Sequence, residues 1–313
     1  MVVPATGDDG AGRHDPVPVV LRRAQDVARA AGPLIPLSCW VPAPSVDSVL
    51  TDITESNRAG WNQIHSARPG QPASYFAGGG STLSADELAA AGSVRDRRVL
   101  QLACSCGDEV LSWAQLGAVV TGVDISEVAL EMARSKSAAA GIPADFRRAD
   151  MLALPADLTG FDLIYLSWGA ICWVPDLTVF ATLIASRLAP GGSILLADHH
   201  PVWEVLAVQG PGQLTVAADY FGRSTPRATI ENTKLPTGAR DNPDAPTFTA
   251  FVWPPSDIIT ALLAAGLTLS AFQESPVAEM YPALGPMATH LPAVYLIKAT
   301  RNVSHETLQQ VAE

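Results

Sequence analysis

The sequence predicts an α/β fold, a doubly wound and mostly parallel sheet of seven strands with helices on both faces. Three observations carry this expectation. From Arg97 onward, short apolar runs alternate with helix-period windows, the pattern of strands joined by crossover helices. Residues 97–126, "RRVLQLACSCGDEVLSWAQLGAVVTGVDIS", set an apolar run, a cramped turn, a helical window and a second apolar run ending in Asp124. Residues 188–193, "LAPGGS", make a helix stop and turn ahead of a buried strand.

Taken in order, residues 1–18 are rich in Gly, Asp and Pro and are expected to form a flexible N-terminus. They hold neither a basic segment nor an unbroken apolar one, so no secretory leader is expected there. Residues 19–96 are expected to form a helical cap. Within it, 19–32 has helical periodicity and stops at Gly32-Pro33, and 45–67 reads as one or two helices with no capping box at Ser45. Loop signals dominate from Arg68 through Leu83.

The core spans 97–200. Its candidate strands are Val99–Leu102, Val119–Val123, Asp145–Arg148, Leu163–Leu166 and Ser193–Ala197, with helical windows near 108–116, 127–140 and 176–187. The rhythm breaks at Pro201. Residues 201–247 are rich in Pro, Gly, Thr and Asp, too long for a plain connection, and read as an insertion after the fifth strand that covers the site. Residues 248–300 complete the core with the strand "TFTAFVW", a helix from Ser256 to about Ala265, and strands near 267–273 and 293–299; a tail, 301–313, follows.

Composition narrows the function. The 20 Lys and Arg against 31 Asp and Glu give a formal net charge of -11, which disfavours nucleic acid and an anionic membrane surface as partners. No run approaches the roughly 18 apolar residues of a membrane span. The four cysteines, Cys39, Cys104, Cys106 and Cys172, form no C-x-x-C pair and read as buried thiols of a reduced, cytoplasmic protein.

The turn after the first core strand is where an open parallel sheet binds its ligand. A dinucleotide would call for G-x-G-x-x-G, so that backbone can approach the pyrophosphate. Those positions hold Ala103, Ser105 and Asp108, and Asp108 with Glu109 sets negative charge against a phosphate. No Gly-Lys-Ser/Thr of a P-loop is present either. A ligand with no phosphate and a positive centre fits this turn better.

Five elements in register carry a resemblance: the 103–107 turn, Asp124 at the second strand end, "RRADML", "FDLIYLSWGA" and "LAPGGSILLADHHP". Together they resemble the class I S-adenosylmethionine-dependent methyltransferases, over about residues 97–200. Members usually show an acidic residue and a G-x-G-x-G turn at the first strand end; here Gln101 stands at the acidic position, and only Gly107 matches a glycine. The resemblance implies a Rossmann-like core, S-adenosylmethionine as cofactor and S-adenosylhomocysteine as product. It implies that Ala103, Cys104, Ser105 and Gly107 hold the methionine portion, Asp124 with Ile125 the ribose, and Asp150 with Met151 the adenine, with Ser167 beside them. Asp162 reads as a structural residue at a strand start.

Methyl transfer from a sulfonium needs alignment, exclusion of water and, for a hydroxyl or ammonium acceptor, a base. Residues for the acceptor are expected after the fourth and fifth strands. The adjacent His199 and His200 are the candidate bases, since histidine titrates near neutrality. Trp61, His65, Trp168, Trp173, Trp203 and Tyr220 are the candidate acceptor contacts, while Trp253 is another aromatic near the cleft. Trp168 and Trp203 in the cleft would favour a planar, apolar or cationic acceptor. The Asn/Asp-Pro-Pro-aromatic motif of nucleic-acid-methylating relatives is absent after the fourth strand. Only Asp198 remains of a divalent-metal set, so no metal is expected.

The expected function is methyl transfer to O or N, with C left open, of a small-molecule acceptor of the secondary-metabolite kind, by in-line displacement with a histidine base. Two alternatives stay open: a cyclisation or decarboxylation on the same fold without methyl transfer, and a ligand-binding relative that has lost catalysis. The oligomeric state is open, including whether the cap closes its own site or that of a second copy.

Overall fold

The structure, a computed structural model, describes residues 46–210, 213–230 and 246–303. The expected flexible segment 1–18, the helix over 19–32, His14, Cys39, the middle of the 201–247 insertion and most of the 301–313 tail lie outside those residues.

Helix α1 (Val46–His65) is followed by α2 (Ala73–Ala77) and α3 (Ala85–Ala91). The core then runs β1 (Arg98–Leu102), α4 (Asp108–Gln115), β2 (Val119–Asp124), α5 (Glu127–Ala140), β3 (Asp145–Arg148), β4 (Phe161–Ser167), α6 (Leu177–Arg187) and β5 (Leu188–His199). Past it come α7 (Pro201–Val205), β6 (Leu206–Gly210), β7 (Gln213–Val216), β8 (Arg223–Ile230), β9 (Thr247–Val252), α8 (Pro255–Ala264), β10 (Leu267–Ser275) and β11 (Val294–Arg301).

The central sheet has seven strands in the order β10-β11-β5-β4-β1-β2-β3. Strands β1 to β5 run parallel, and β11 lies antiparallel between β5 and β10. The strands read as continuous apolar runs because both faces are covered. Leu100, Leu102, Ile164 and Leu196 pack on one face with Phe180 and Ile184 of α6 and Leu262 of α8. Val99, Leu163, Tyr165 and Leu195 pack on the other with Trp113 of α4 and Leu130 of α5. Among the described residues no helix is long and apolar enough to cross a membrane.

Local chemistry sets the helix ends. The Ser126 hydroxyl accepts the Ala129 N–H at 3.1 Å to open α5, and Gly141 at φ 68° closes it. Asp176 caps α6 through the N–H groups of Thr178 and Val179. Asp162 accepts the Arg98 N–H at 2.8 Å, holding the start of β1, in keeping with its structural reading.

Three details differ from the sequence expectation. Helix α2 falls inside the 68–83 stretch where loop was expected, and α3, opened by a Ser84/Glu87 capping box, is a further helix of the 19–96 region. Strand β9 does not join the central sheet; it pairs antiparallel with β8 in a separate two-stranded ribbon. The described part of 201–230 forms α7, a β6–β7 hairpin and β8, and none of it lines the cavity that the insertion was expected to cover.

Candidate active site

The chain leaves β1 for β2 on one side and later returns to β4 on the other. Beyond the carboxyl ends of the strands this reversal opens a crevice, the usual ligand site of such sheets. A cavity of about 380 Å³ lies there, in the range of small-molecule sites. The turn after β1 lines one side, the ends of β2, β3 and β4 line the walls, and α1 forms the roof.

The turn keeps the backbone of a glycine turn although two glycines are missing. Ala103, Ser105 and Gly107 have φ of 50°, 49° and 82°. A left-handed L-residue costs about 1–2 kcal/mol, and hydrogen bonds offset this. Cys104 N–H donates to Val123 O at 2.9 Å, Gly107 N–H to Cys104 O at 2.9 Å, and Ser105 N–H to Asp124 Oδ2 at 2.8 Å. At Gly107 a Cβ would also stand 3.0 Å from both Ala133 and Phe146, so helix packing excludes a side chain there.

Asp124 is 7% exposed and its other oxygen accepts the Ser126 N–H at 2.8 Å. Burial pushes its carboxyl above the usual range, against the opposing pull of the Ser126, Ser105 and Ile125 N–H groups. Each oxygen retains a lone pair for a hydroxyl donor. Asp150 follows β3; Oδ1 accepts the Leu152 N–H at 2.9 Å and Oδ2 accepts the Thr54 hydroxyl at 3.2 Å. That second bond ties the roof helix to the wall.

Thr54, Asn57, Trp61 and His65 fall on one face of α1 and all line the cavity. Asn57 makes a two-way bond with β9: its amide donates to Thr249 O and accepts the Thr249 N–H, each at 2.9 Å. Ser126 Oγ donates to Asn62 Oδ1 at 2.7 Å, and Arg58 pairs with Glu127 at 2.7 Å. Trp61 stacks on His65, with centroids 5.1 Å apart, and meets Trp173 edge-on at 5.4 Å. Phe248 backs both tryptophans, and it packs so close that a Cβ on Gly60 would stand 2.7 Å from its ring. His65 lies 3.4 Å from Ser105 Oγ, and burial, with Arg68 adding to it, pushes its pKa down to about 4. The ring is therefore neutral at physiological pH.

Of the residues assigned to the cofactor, Ala103, Ser105, Asp124, Ile125, Asp150, Met151 and Ser167 line this one cavity. Cys104 and Gly107 do not; Cys104 is buried behind the turn, where burial pushes its thiol up. Trp61, His65, Trp168 and Trp173 line it as well. Trp203 and Tyr220 do not: Trp203 Nε1 donates to Met280 O at 2.9 Å, and Tyr220 packs against Phe221. Trp253 is a core residue whose Nε1 donates to Val174 O at 2.7 Å.

The two histidines separate. His200 is 3% exposed, its Nδ1 accepts the Val202 N–H at 3.1 Å to cap α7, and Nε2 meets Glu274 at 2.8 Å. Both ring nitrogens are engaged, so the geometry makes His200 a structural cap rather than a base. His199 lies instead beside the loop after β4, its ring 5.8 Å from Trp168 and 5.1 Å from Trp203. Trp168 borders the cavity with φ 44°. Asp198 accepts the N–H groups of Gly169, Ile171 and His199, fixing that loop against β5.

The described part of the insertion does not line the cavity; α1 covers it, and β9 holds α1. The sequence did offer a signal for this roof, since Thr54, Asn57, Trp61 and His65 recur at helical spacing. Glu109, in the first turn of α4, also reaches the cavity wall beside Asp108. Asp108, Glu109, Asp124 and Asp150 line the cavity together with Arg68, an acidic balance that suits a cationic ligand.

Residues 99–192 match the family model described as a methyltransferase domain. In sequence, the chain is 30% identical over 158 residues to a ubiquinone biosynthesis O-methyltransferase of Bordetella pertussis, covering 48% of this chain and 63% of that one. It is 33% identical over 135 residues to the protein of that name from Xanthomonas axonopodis pv. citri, covering 42% and 53%. The chain thus spans between about half and two thirds of these relatives' lengths. In fold, it is similar to an S-adenosylmethionine-dependent methyltransferase from Mesorhizobium loti, with a TM-score of 0.52 at 22% identity, over 69% of this chain and 96% of that one. A second such structure, from Listeria monocytogenes, gives 0.51 at 18% identity over the same shares.

Residues 99–192 thus match a methyltransferase domain, and the chain has the fold of S-adenosylmethionine-dependent methyltransferases of known structure.

Proposed function

We propose that the protein transfers the methyl group of S-adenosylmethionine to oxygen or nitrogen of a small-molecule acceptor, of the kind found among secondary-metabolite intermediates. The observation that carries this reading is Asp124, a buried carboxylate on the wall of the switch-point cavity, with a left-handed turn bonded to it. The donor set fits the cofactor: acceptors at Asp124 for two ribose hydroxyls, and Ile125, Asp150 and Met151 around an adenine. The 103–107 turn lies beside them for the amino-acid end.

When bound, the cofactor supplies a methyl group on a cationic sulfur, open to in-line displacement. The roof helix would shield a bound cofactor from water, and neutral His65 adds no positive charge to the cavity wall. Trp61, Trp168 and Trp173 offer flat apolar surface, which favours a planar acceptor. The relatives named as ubiquinone biosynthesis O-methyltransferases place the first weight on a hydroxyl acceptor. His199 does not itself line the cavity, but its neighbours Trp168 and Gly169 do, which supports it as the residue that would take the acceptor proton.

Calorimetric titration with S-adenosylhomocysteine tests the reading. Micromolar binding that is lost in Asp124→Ala supports it, and no binding by the unaltered protein removes it. Acceptor screening then follows the formation of S-adenosylhomocysteine.

A further inference from the structure

Three of the carboxylates on the cavity wall already have strong partners. Asp108 pairs with Lys136 and accepts the Gln71 N–H at 2.7 Å. Asp124 accepts the Ser105 and Ser126 N–H groups, and Asp150 accepts the Leu152 N–H and the Thr54 hydroxyl. Glu109 differs from them. Beyond its own backbone N–H, its carboxylate has one donor, Gln101 Nε2, at 3.4 Å.

A second orphan lies behind it. Gln101, at the end of β1, is 1% exposed, and its Oε1 is buried with no partner. The nearby Lys136 is committed to Asp108 and to Pro69 O, and among the described residues no cation is paired with Glu109. Burial pushes the Glu109 carboxyl above its usual range, and the charges of Asp108 and Glu87 add to this. A recessed carboxylate held by its own N–H and one long bond is costly unless a ligand completes it. The group that would complete it is a small cation rich in N–H donors, and a primary ammonium offers three.

We infer that Glu109 receives the α-ammonium group of the cofactor's amino-acid end, with Gln101 holding the carboxylate in position from the end of β1. This rests on the cofactor reading above and adds a determinant of selectivity to it. The site would favour ligands with a free amino group over otherwise identical ones without it.

The test uses calorimetry on the full chain with two probes, S-adenosylhomocysteine and 5′-methylthioadenosine, which lacks the amino-acid end. Glu109→Gln keeps shape and removes charge. It should weaken S-adenosylhomocysteine by about tenfold or more, the scale of a charge-assisted hydrogen bond, and leave 5′-methylthioadenosine within about twofold. Unchanged affinity for S-adenosylhomocysteine overturns the inference. So does an equal fall for both probes, which would signal a deformed cavity. If the glutamine variant melts below assay temperature, Glu109→Met reads the same difference. Failure of the unaltered protein to bind either probe is a separate outcome that overturns the cofactor reading and this inference with it.

Discussion

Ser105 N–H donates to Asp124 Oδ2 at 2.8 Å, so a left-handed residue of the β1 turn is tied to the end of β2. The carboxylate that would hold the ribose therefore also holds the turn. Asp124→Ala should abolish S-adenosylhomocysteine binding and, because it strands two buried N–H groups, destabilise the fold by about 2–4 kcal/mol. Titration calorimetry and a thermal melt separate the two effects. Retained affinity would displace Asp124 from the site.

Ala103 and Ser105 carry side chains where the backbone is left-handed. Ala103→Gly and Ser105→Gly should each stabilise the protein by about 0.5–1 kcal/mol, the strain relieved less the entropy that glycine adds to the unfolded chain. In a domain of this size that is a rise of roughly 2 °C in Tm. A fall in Tm for both would mean that the side chains contribute more than the strain costs.

His65 supplies the pH dependence. Its folded pKa of about 4 lies below the ordinary value of 6.5, so between those values the unfolded chain binds the extra proton. Stability should thus be full above about pH 6.5 and decline as pH falls toward 4, by as much as about 3 kcal/mol. In His65→Gln the Tm profile over that window should flatten. An unchanged slope would assign the acid sensitivity to other groups.

The adjacent histidines should separate in assay. His199→Ala should lower turnover by about 10²–10⁴-fold with S-adenosylhomocysteine affinity unchanged. His200→Ala should lower stability by about 1–2 kcal/mol through loss of the α7 cap. Measuring product formation and Tm on both variants decides this, and full turnover in His199→Ala would remove it as the base.

Much of the core was legible because buried parallel strands are continuous apolar runs, as in "FDLIYLS". The cofactor wall was legible for the same reason, since Asp124 and Asp150 sit at strand ends that those runs delimit. His199 and His200 were not separable by type, although strand alternation sends neighbours to opposite sides of a sheet. The capping box of Ser84 and Glu87 announced α3, but its helix is too short to show a strong apolar period. The placement of β9 was not legible locally, because its pairing with β8 and its bond to Asn57 depend on long-range closure.

The bond between Asn57 and Thr249 joins residues 192 positions apart. During synthesis the roof helix emerges first, and its anchoring strand emerges only after the whole parallel core. The crevice must therefore be built open and closed late, when the ribosome has released the segment beyond the fifth strand. A nascent chain arrested before Thr249 would hold its ligand wall complete and its roof unfastened.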